Sequence, residues 1–148
     1  MGPDPTSPSP AALADQLRPV LLRLSRELRR EAQSLGVTGG QVALLILIKR
    51  NPGITASELA ERERMSAPGM SGHIARLESA KLIERTRAED RRRIGLTLTP
   101  AGDRILTSVR KRRTVWLAGH LKGLSAAERK AIARALPALE KLLDTPAR

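Results

Sequence analysis

The residues best equipped for chemistry are arginines, and what they offer is recognition rather than bond making. Asp90, Arg91, Arg92 and Arg93 follow one another in a single run. Guanidinium groups present rigid forks of donors that match the oxygens of phosphate and guanine. Asp90 is placed to orient Arg92, the arginine expected to enter a narrow minor groove, where the potential is most negative. Arg91 and Arg93 are then expected to flank the phosphates. Upstream, Ser66, Ala67, Pro68, Gly69, Ser71, Gly72, His73 and Arg76 form a stretch that is small or hydrogen-bonding. Low bulk gives up helix propensity but lets a backbone approach base edges. His73 and Arg76 are the donors there that can reach guanine acceptors. Plainer alternatives stand beside these readings: His73 as a solvated surface residue, Arg76 paired with a carboxylate such as Asp90, and the arginine run as a solvated face.

The elements that position these residues can be read locally. Thr55 and Glu58 form a capping box opening the helix TASELAERE, in which a hydroxyl and a carboxylate satisfy backbone N–H groups. Ser66 caps a second helix, with Pro68 tolerated in its first turn. Met70, Ile74 and Leu77 fall four and three residues apart, one helical face. Strands follow at Leu82 to Arg87 and Arg93 to Leu98, the latter with Ile94, Leu96 and Leu98 alternating against Gly95 and Thr97. Two helices, a tight turn and a basic hairpin outline a winged helix that reads DNA. Capped helix starts offer N–H groups to phosphate, so Thr38 and Thr55 join Arg85 and Arg87 as candidates for contact with the DNA backbone.

Composition narrows the partner. The chain has 148 residues and a net charge of +12, with 21 Arg and 6 Lys. Phe and Tyr are absent and Trp116 is the single aromatic residue besides His. Modules for single strands and RNA loops stack bases on rings, so duplex DNA is the better match. The absence of Cys removes thiolate metal sites, disulfides and thiol redox sensing. His73 and His120 lie far apart and make a poor metal constellation, although Asp and Glu could complete one. No metal and no cofactor is expected. A catalytic role is not expected either, for lack of a Gly-rich phosphate loop, a Cys nucleophile or an evident His–acid pair. No apolar run approaches the roughly 20 residues of a membrane span. A soluble, cytoplasmic protein with no membrane partner is the expectation.

The remainder of the chain frames this lobe. Residues 1–10 hold four prolines and read as a disordered or extended arm. A helix is expected from Ala11 to about Leu35, with Pro19 either kinking it or marking its true start, and Gly36 stops it. Thr38 and Gln41 make a second capping box, opening a helix that is apolar nearly all round from Val42 to Ile48 and so belongs in the core. Asn51-Pro52-Gly53 is a turn, and Ile54 reads as a one-residue strand beside the wing. Thr99-Pro100 restarts a helix running to about Lys122, with Ile105, Leu106, Val109, Trp116, Leu117 and Leu121 apolar. Ser125 and Glu128 cap a last helix, which Pro137 should bend. The terminal helices carry more apolar stripe than a small lobe needs. Leu13, Leu17, Leu21, Leu117, Leu121, Ile132, Leu136 and Leu139 therefore read as a dimer interface, the alternative being a helical layer within a monomer. The basic cluster Arg110 to Arg113 favours solvation or a carboxylate over DNA. Trp116 favours packing, yet it is the one indole available to stack on an aromatic ligand.

The run from Glu58 to Gly102 resembles the MarR family of bacterial transcriptional regulators. The resemblance is carried by Glu58-Leu59-Ala60, Met70, Arg76-Leu77-Glu78, Leu82-Ile83-Glu84-Arg85, Asp90-Arg91-Arg92 and Leu98-Thr99-Pro100-Ala101-Gly102. It implies a mainly α fold with a small β-hairpin wing (α+β). Residues 38–99 would form the winged helix-turn-helix lobe, and residues 11–36 and 100–145 the dimerisation helices, within one domain spanning 11–148. It also implies a homodimer on a pseudo-palindromic operator, a repressor released by a small aromatic or phenolic ligand, in a bacterial cytoplasm and associated with the nucleoid. An architectural DNA binder without effector is the alternative. Arg64 and Lys81 stand where the family often has Gly, a replacement that costs about 1 kcal/mol each if the backbone there is left-handed. The loop before Asp90 is also about one residue shorter than in many relatives.

Overall fold

The structure, a computed structural model, describes residues 6–87 and 92–144. In order, the described elements are α1 (Pro10–Gln33), α2 (Gly39–Arg50), α3 (Ala56–Arg62), α4 (Ala67–Ser79), β1 (Ile83–Arg87), β2 (Ile94–Leu98), α5 (Pro100–Leu121) and α6 (Ala126–Asp144). The chain divides into two compact units, Met1–Arg113 and Thr114–Arg148, with the boundary inside α5.

Helix starts follow side-chain caps throughout. Thr38 Oγ1 accepts from the Gln41 N–H at 3.1 Å while Gln41 Oε1 accepts from the Thr38 N–H at 2.9 Å. Thr55 and Glu58 repeat the reciprocal arrangement at 3.2 and 3.0 Å, as do Ser125 and Glu128 at 3.1 and 2.7 Å. Each pair satisfies two donors that a helix start leaves without partners. Ser66 caps α4 through the Gly69 N–H, and Thr99 caps α5 through the Gly102 N–H. At α1 the cap is Ser9, with Pro10 as the first helical residue. The helix thus begins one residue earlier than expected, and Pro19 lies inside it rather than at its start.

β1 and β2 pair antiparallel from Ile83↔Leu98 to Arg87↔Ile94, each one residue shorter than the sequence suggests. Ile54 bridges Leu96 antiparallel, as expected, with the Leu96 N–H donating to the Ile54 carbonyl at 2.8 Å. The expected alternation of β2 fails at its first residue, because Ile94 is 51% exposed. Gly95 is buried in its place. A Cβ there would lie 2.5 Å from the Gly53 carbonyl oxygen, so the crossing of the Asn51–Gly53 turn over β2 requires glycine.

The core of the first unit has Leu45, Ile48, Leu59, Met70, Ile74, Leu77, Leu96 and Val109 as its largest fully buried side chains. It reaches from Ala32 to Val109, so it includes the end of α1 and the first turns of α5 as well as the winged elements. α2 is less enclosed than its composition suggests: Ala43 is exposed, and Ile46 and Leu47 are half-buried. Gly102 fixes the seating of α5, since a Cβ there would meet the Leu82 carbonyl oxygen at 2.1 Å. In the second unit the Trp116 and His120 rings stack with centroids 4.0 Å apart. Pro137 lies within α6, none of whose residues is buried.

Candidate nucleic-acid interface

The helix expected to read DNA is α4, held by its apolar face. Met70, Ile74 and Leu77 are 0%, 1% and 0% exposed, which turns Ser71, Gly72, His73 and Arg76 away from the core. Ser71 and Arg76 are exposed, and Gly72 and His73 are half-buried. The Arg76 side chain makes no hydrogen bond or ion pair among the described residues, so no described carboxylate neutralises it. The small residues on this helix serve two purposes. A Cβ at Gly69 would press on Ser66 Oγ at 3.0 Å, so smallness there protects the cap. At Gly72 nothing lies within 4 Å of such a Cβ, and the open space is available to an outside surface. Ala67 and Pro68 are exposed in the first turn.

The wing arginines are placed unequally. Asp90 and Arg91 lie outside the described residues, so their expected roles have no structural counterpart here. Arg92 is exposed. Arg93, expected to flank a phosphate, donates through Nη2 to Glu58 Oε1, which ties the wing base to the start of α3. Arg85, also expected at the DNA backbone, donates to Glu78 Oε1 at 3.0 Å through Nε and lies 2.9 Å from it through Nη2. Both are engaged by carboxylates of the same chain. Arg87 is exposed and has no partner among the described residues. Glu58 carries two loads at once, since its other oxygen caps Thr55. That Thr55 N–H is the main influence holding the Glu58 carboxyl below the usual carboxylate range; partial desolvation opposes it, and the Arg93 guanidinium reinforces it. Thr38 and Thr55 act as helix caps in the geometry described above.

The second basic cluster splits along α5. Arg110 and Lys111 are exposed. Arg112 pairs with Glu31 of α1 at 3.5 Å, and Arg113 Nε donates to the Leu28 carbonyl at 3.0 Å. Burial, with the nearby Arg29 charge, lowers the Arg113 pKa from its ordinary value. Arg29 and Arg113 flank a groove of about 480 Å³ walled by Leu21, Leu24, Leu28 and Ile46. Trp116, the residue singled out for a ligand, is not among the groove's lining residues and sits half-buried against His120. Of the candidate interface leucines and isoleucine, Leu13, Leu21, Ile132 and Leu136 are exposed, and Leu17, Leu117, Leu121 and Leu139 are half-buried. No helix among the described residues is long and apolar enough to cross a membrane.

Comparison with known proteins adds an independent line. A model of the MarR family matches residues 35–94. An HTH-type transcriptional regulator of Mycobacterium bovis is 31% identical over 137 residues, covering 92% of this chain and 96% of that protein. The HTH-type transcriptional repressor MdtR of Bacillus subtilis is 31% identical over 113 residues, 76% of this chain and 73% of its own. The crystal structure of a transcriptional regulator of Pseudomonas aeruginosa is 33% identical, with a TM-score of 0.82, and covers 94% of this chain and 100% of that one.

Proposed function

The chain belongs to the MarR family of DNA-binding transcriptional regulators, and from that premise we propose that it is a homodimeric, sequence-specific repressor released by a small apolar anion. The observation that carries this reading is the face of α4: slim, outward, and bearing Arg76, exposed and without a side-chain partner among the described residues, above three fully buried anchors. A helix so mounted fits the major groove, and the arginines of the hairpin fit the phosphates and the adjoining minor groove. A second copy covers the exposed leucines of the terminal helices. Two reading helices related by a twofold axis then meet successive major grooves roughly 34 Å apart. The similarity to a named repressor supports repression over activation.

Release works by population shift, because a ligand moves an equilibrium only by its differential affinity for the two forms. The groove beside Arg29 and Arg113 supports a site for such a ligand. Its walls are apolar, and a guanidinium that loses hydration there gains from an anion more than one in open solvent does. A hydrophobic carboxylate or phenolate matches both features.

The test begins with the wing. Arg92→Ala should weaken binding to a palindromic operator fragment and reduce the slope of log affinity against log salt by about one per protomer. Unchanged binding would remove the wing from the mechanism. Bulk DNA that displaces the operator fragment as well as the operator itself does would instead identify an architectural DNA binder.

A further inference from the structure

Three helix ends in the first unit close by the same backbone device, and they differ in the residue that executes it. At the end of α1 the Gly36 N–H donates to Gln33 and the Val37 N–H to Ala32; at α3 the Arg64 N–H donates to Glu61 and the Met65 N–H to Ala60. At α4 the Lys81 N–H donates to Glu78 and the Leu82 N–H to Leu77. The pivotal residue is left-handed in all three, with φ of 83° at Gly36, 52° at Arg64 and 57° at Lys81. Glycine adopts this conformation without steric penalty, which is why it is the usual closing residue. A side chain crowds the following carbonyl. At position 64, therefore, the fold by itself would be better served by glycine, and a basic side chain stands there against that preference. Strain held in this way points to a use for the side chain.

Arg64 is well placed for one. It is exposed and has no side-chain hydrogen bond or ion pair among the described residues, although Glu61 and Glu63 flank it in sequence. The neighbouring Arg62 is already committed to Asn51 Oδ1 at 3.0 Å. Arg64 stands two residues before Ser66, the cap of the reading helix, in the turn that brings that helix in. Lys81 shares the strained backbone but lies at the opposite end of α4, roughly 20 Å along the axis. There its carbonyl accepts from Thr99 Oγ1 at 2.6 Å, at the junction with α5. It cannot share a phosphate with Arg64.

We propose that Arg64 is a phosphate-binding residue whose guanidinium holds the DNA backbone beside the entry of the reading helix. This assignment rests on the DNA-binding reading above. Lys81 is the strain-matched control.

The experiment compares wild type with Arg64→Gly, Arg64→Asn and Lys81→Gly, using a duplex fragment that the wild-type protein retains from genomic DNA. Asparagine tolerates the left-handed region, so Arg64→Asn removes the charge without asking for a glycine. Arg64→Gly and Lys81→Gly should each raise the thermal midpoint by roughly 2–5 °C. Both Arg64 variants should bind about tenfold more weakly in about 0.1 M salt, with the salt slope reduced by about one per protomer. Lys81→Gly should bind within about twofold of wild type. Wild-type affinity and slope in both Arg64 variants would overturn the phosphate contact while leaving the DNA-binding reading intact. An equal loss in Lys81→Gly would overturn it too, by tracing the effect to displacement of α4. Failure of the wild-type protein to retain any fragment would overturn the DNA-binding reading itself.

Discussion

In α2, Val42, Leu44, Leu45 and Ile48 are buried by elements of the same unit, whereas in α6 Ile132, Leu136, Leu142 and Leu143 all stand exposed. Both helices are rich in leucine and isoleucine, and each opens at a reciprocal cap. What separates them is the surface available to pack against. α2 packs against α1 and β2 and its buried residues belong to the core cluster of the first unit, so its apolar area leaves water when one chain folds. The area on α6 leaves water only when something else arrives. Exposed apolar residues on one helix are what the proposed second copy would cover, and hydrophobic patterning alone does not distinguish the two cases.

Substitutions can break that comparison directly. Leu45 is 0% exposed, and Leu45→Ala should lower the unfolding free energy by about 2–5 kcal/mol, read from denaturant midpoints. Leu136→Ala, on a residue 51% exposed, should change the stability of the monomer by no more than about 0.5 kcal/mol. Leu136→Asp should instead convert a sedimenting dimer to monomer while the first unit still unfolds cooperatively. A Leu136→Ala loss as large as that of Leu45→Ala in dilute monomer would show that α6 is packed within its own chain.

Glycines sharpen the same contrast at a smaller scale. Gly102→Ala would force a Cβ to 2.1 Å from the Leu82 carbonyl oxygen, and backbone cannot yield as a flexible side chain can. About 1–3 kcal/mol of destabilisation is expected. At Gly119, inside α5, nothing lies within 4 Å. Gly119→Ala should therefore stabilise by roughly 0.5–1 kcal/mol, because alanine loses less conformational freedom on entering a helix. A Gly102→Ala protein as stable as wild type would mean that α5 is not seated against the Leu82 turn.

These examples also show which features the sequence makes legible. Capping boxes at Thr38, Thr55 and Ser125 involve residues three apart, and the face of Met70, Ile74 and Leu77 follows from helical spacing. The left-handed backbone at Arg64 and Lys81 was readable from positions that the MarR resemblance assigns to glycine. The features that escape are non-local. Gly95 is buried because Gly53 crosses it, and the exposure of Ile94 accompanies that crossing. Arg93 finds Glu58 across 35 residues, and Arg113 finds the Leu28 carbonyl across 85. Nothing in the type or spacing of those arginines separates one aimed at DNA from one tied to its own chain. The guanidinium of Arg76, without a partner among the described residues, and the engaged one of Arg85 differ only in what the fold brings near them.

The Glu58 carboxylate joins two of these local and non-local features, and its titration provides the finest test. Its pKa lies below the ordinary value of 4.5 because the charged form is hydrogen-bonded by Thr55 and paired with Arg93. A carboxyl whose folded pKa is depressed contributes stability that is present above the unfolded value and is lost as pH falls through the folded one. Glu58→Gln keeps an acceptor for the Thr55 N–H but removes the charge. The wild type should therefore be the more stable of the two from pH 7 down to about 4.5, with midpoints converging below that. The group is exposed, so the gap should be small and should narrow further in high salt. A gap that stays constant from pH 7 to pH 3 would trace it to side-chain shape and dissolve the electrostatic link between the wing base and α3. A gap that closes in acid and in salt alike would establish that the Glu58 charge, paired with Arg93, ties the wing base to the start of α3.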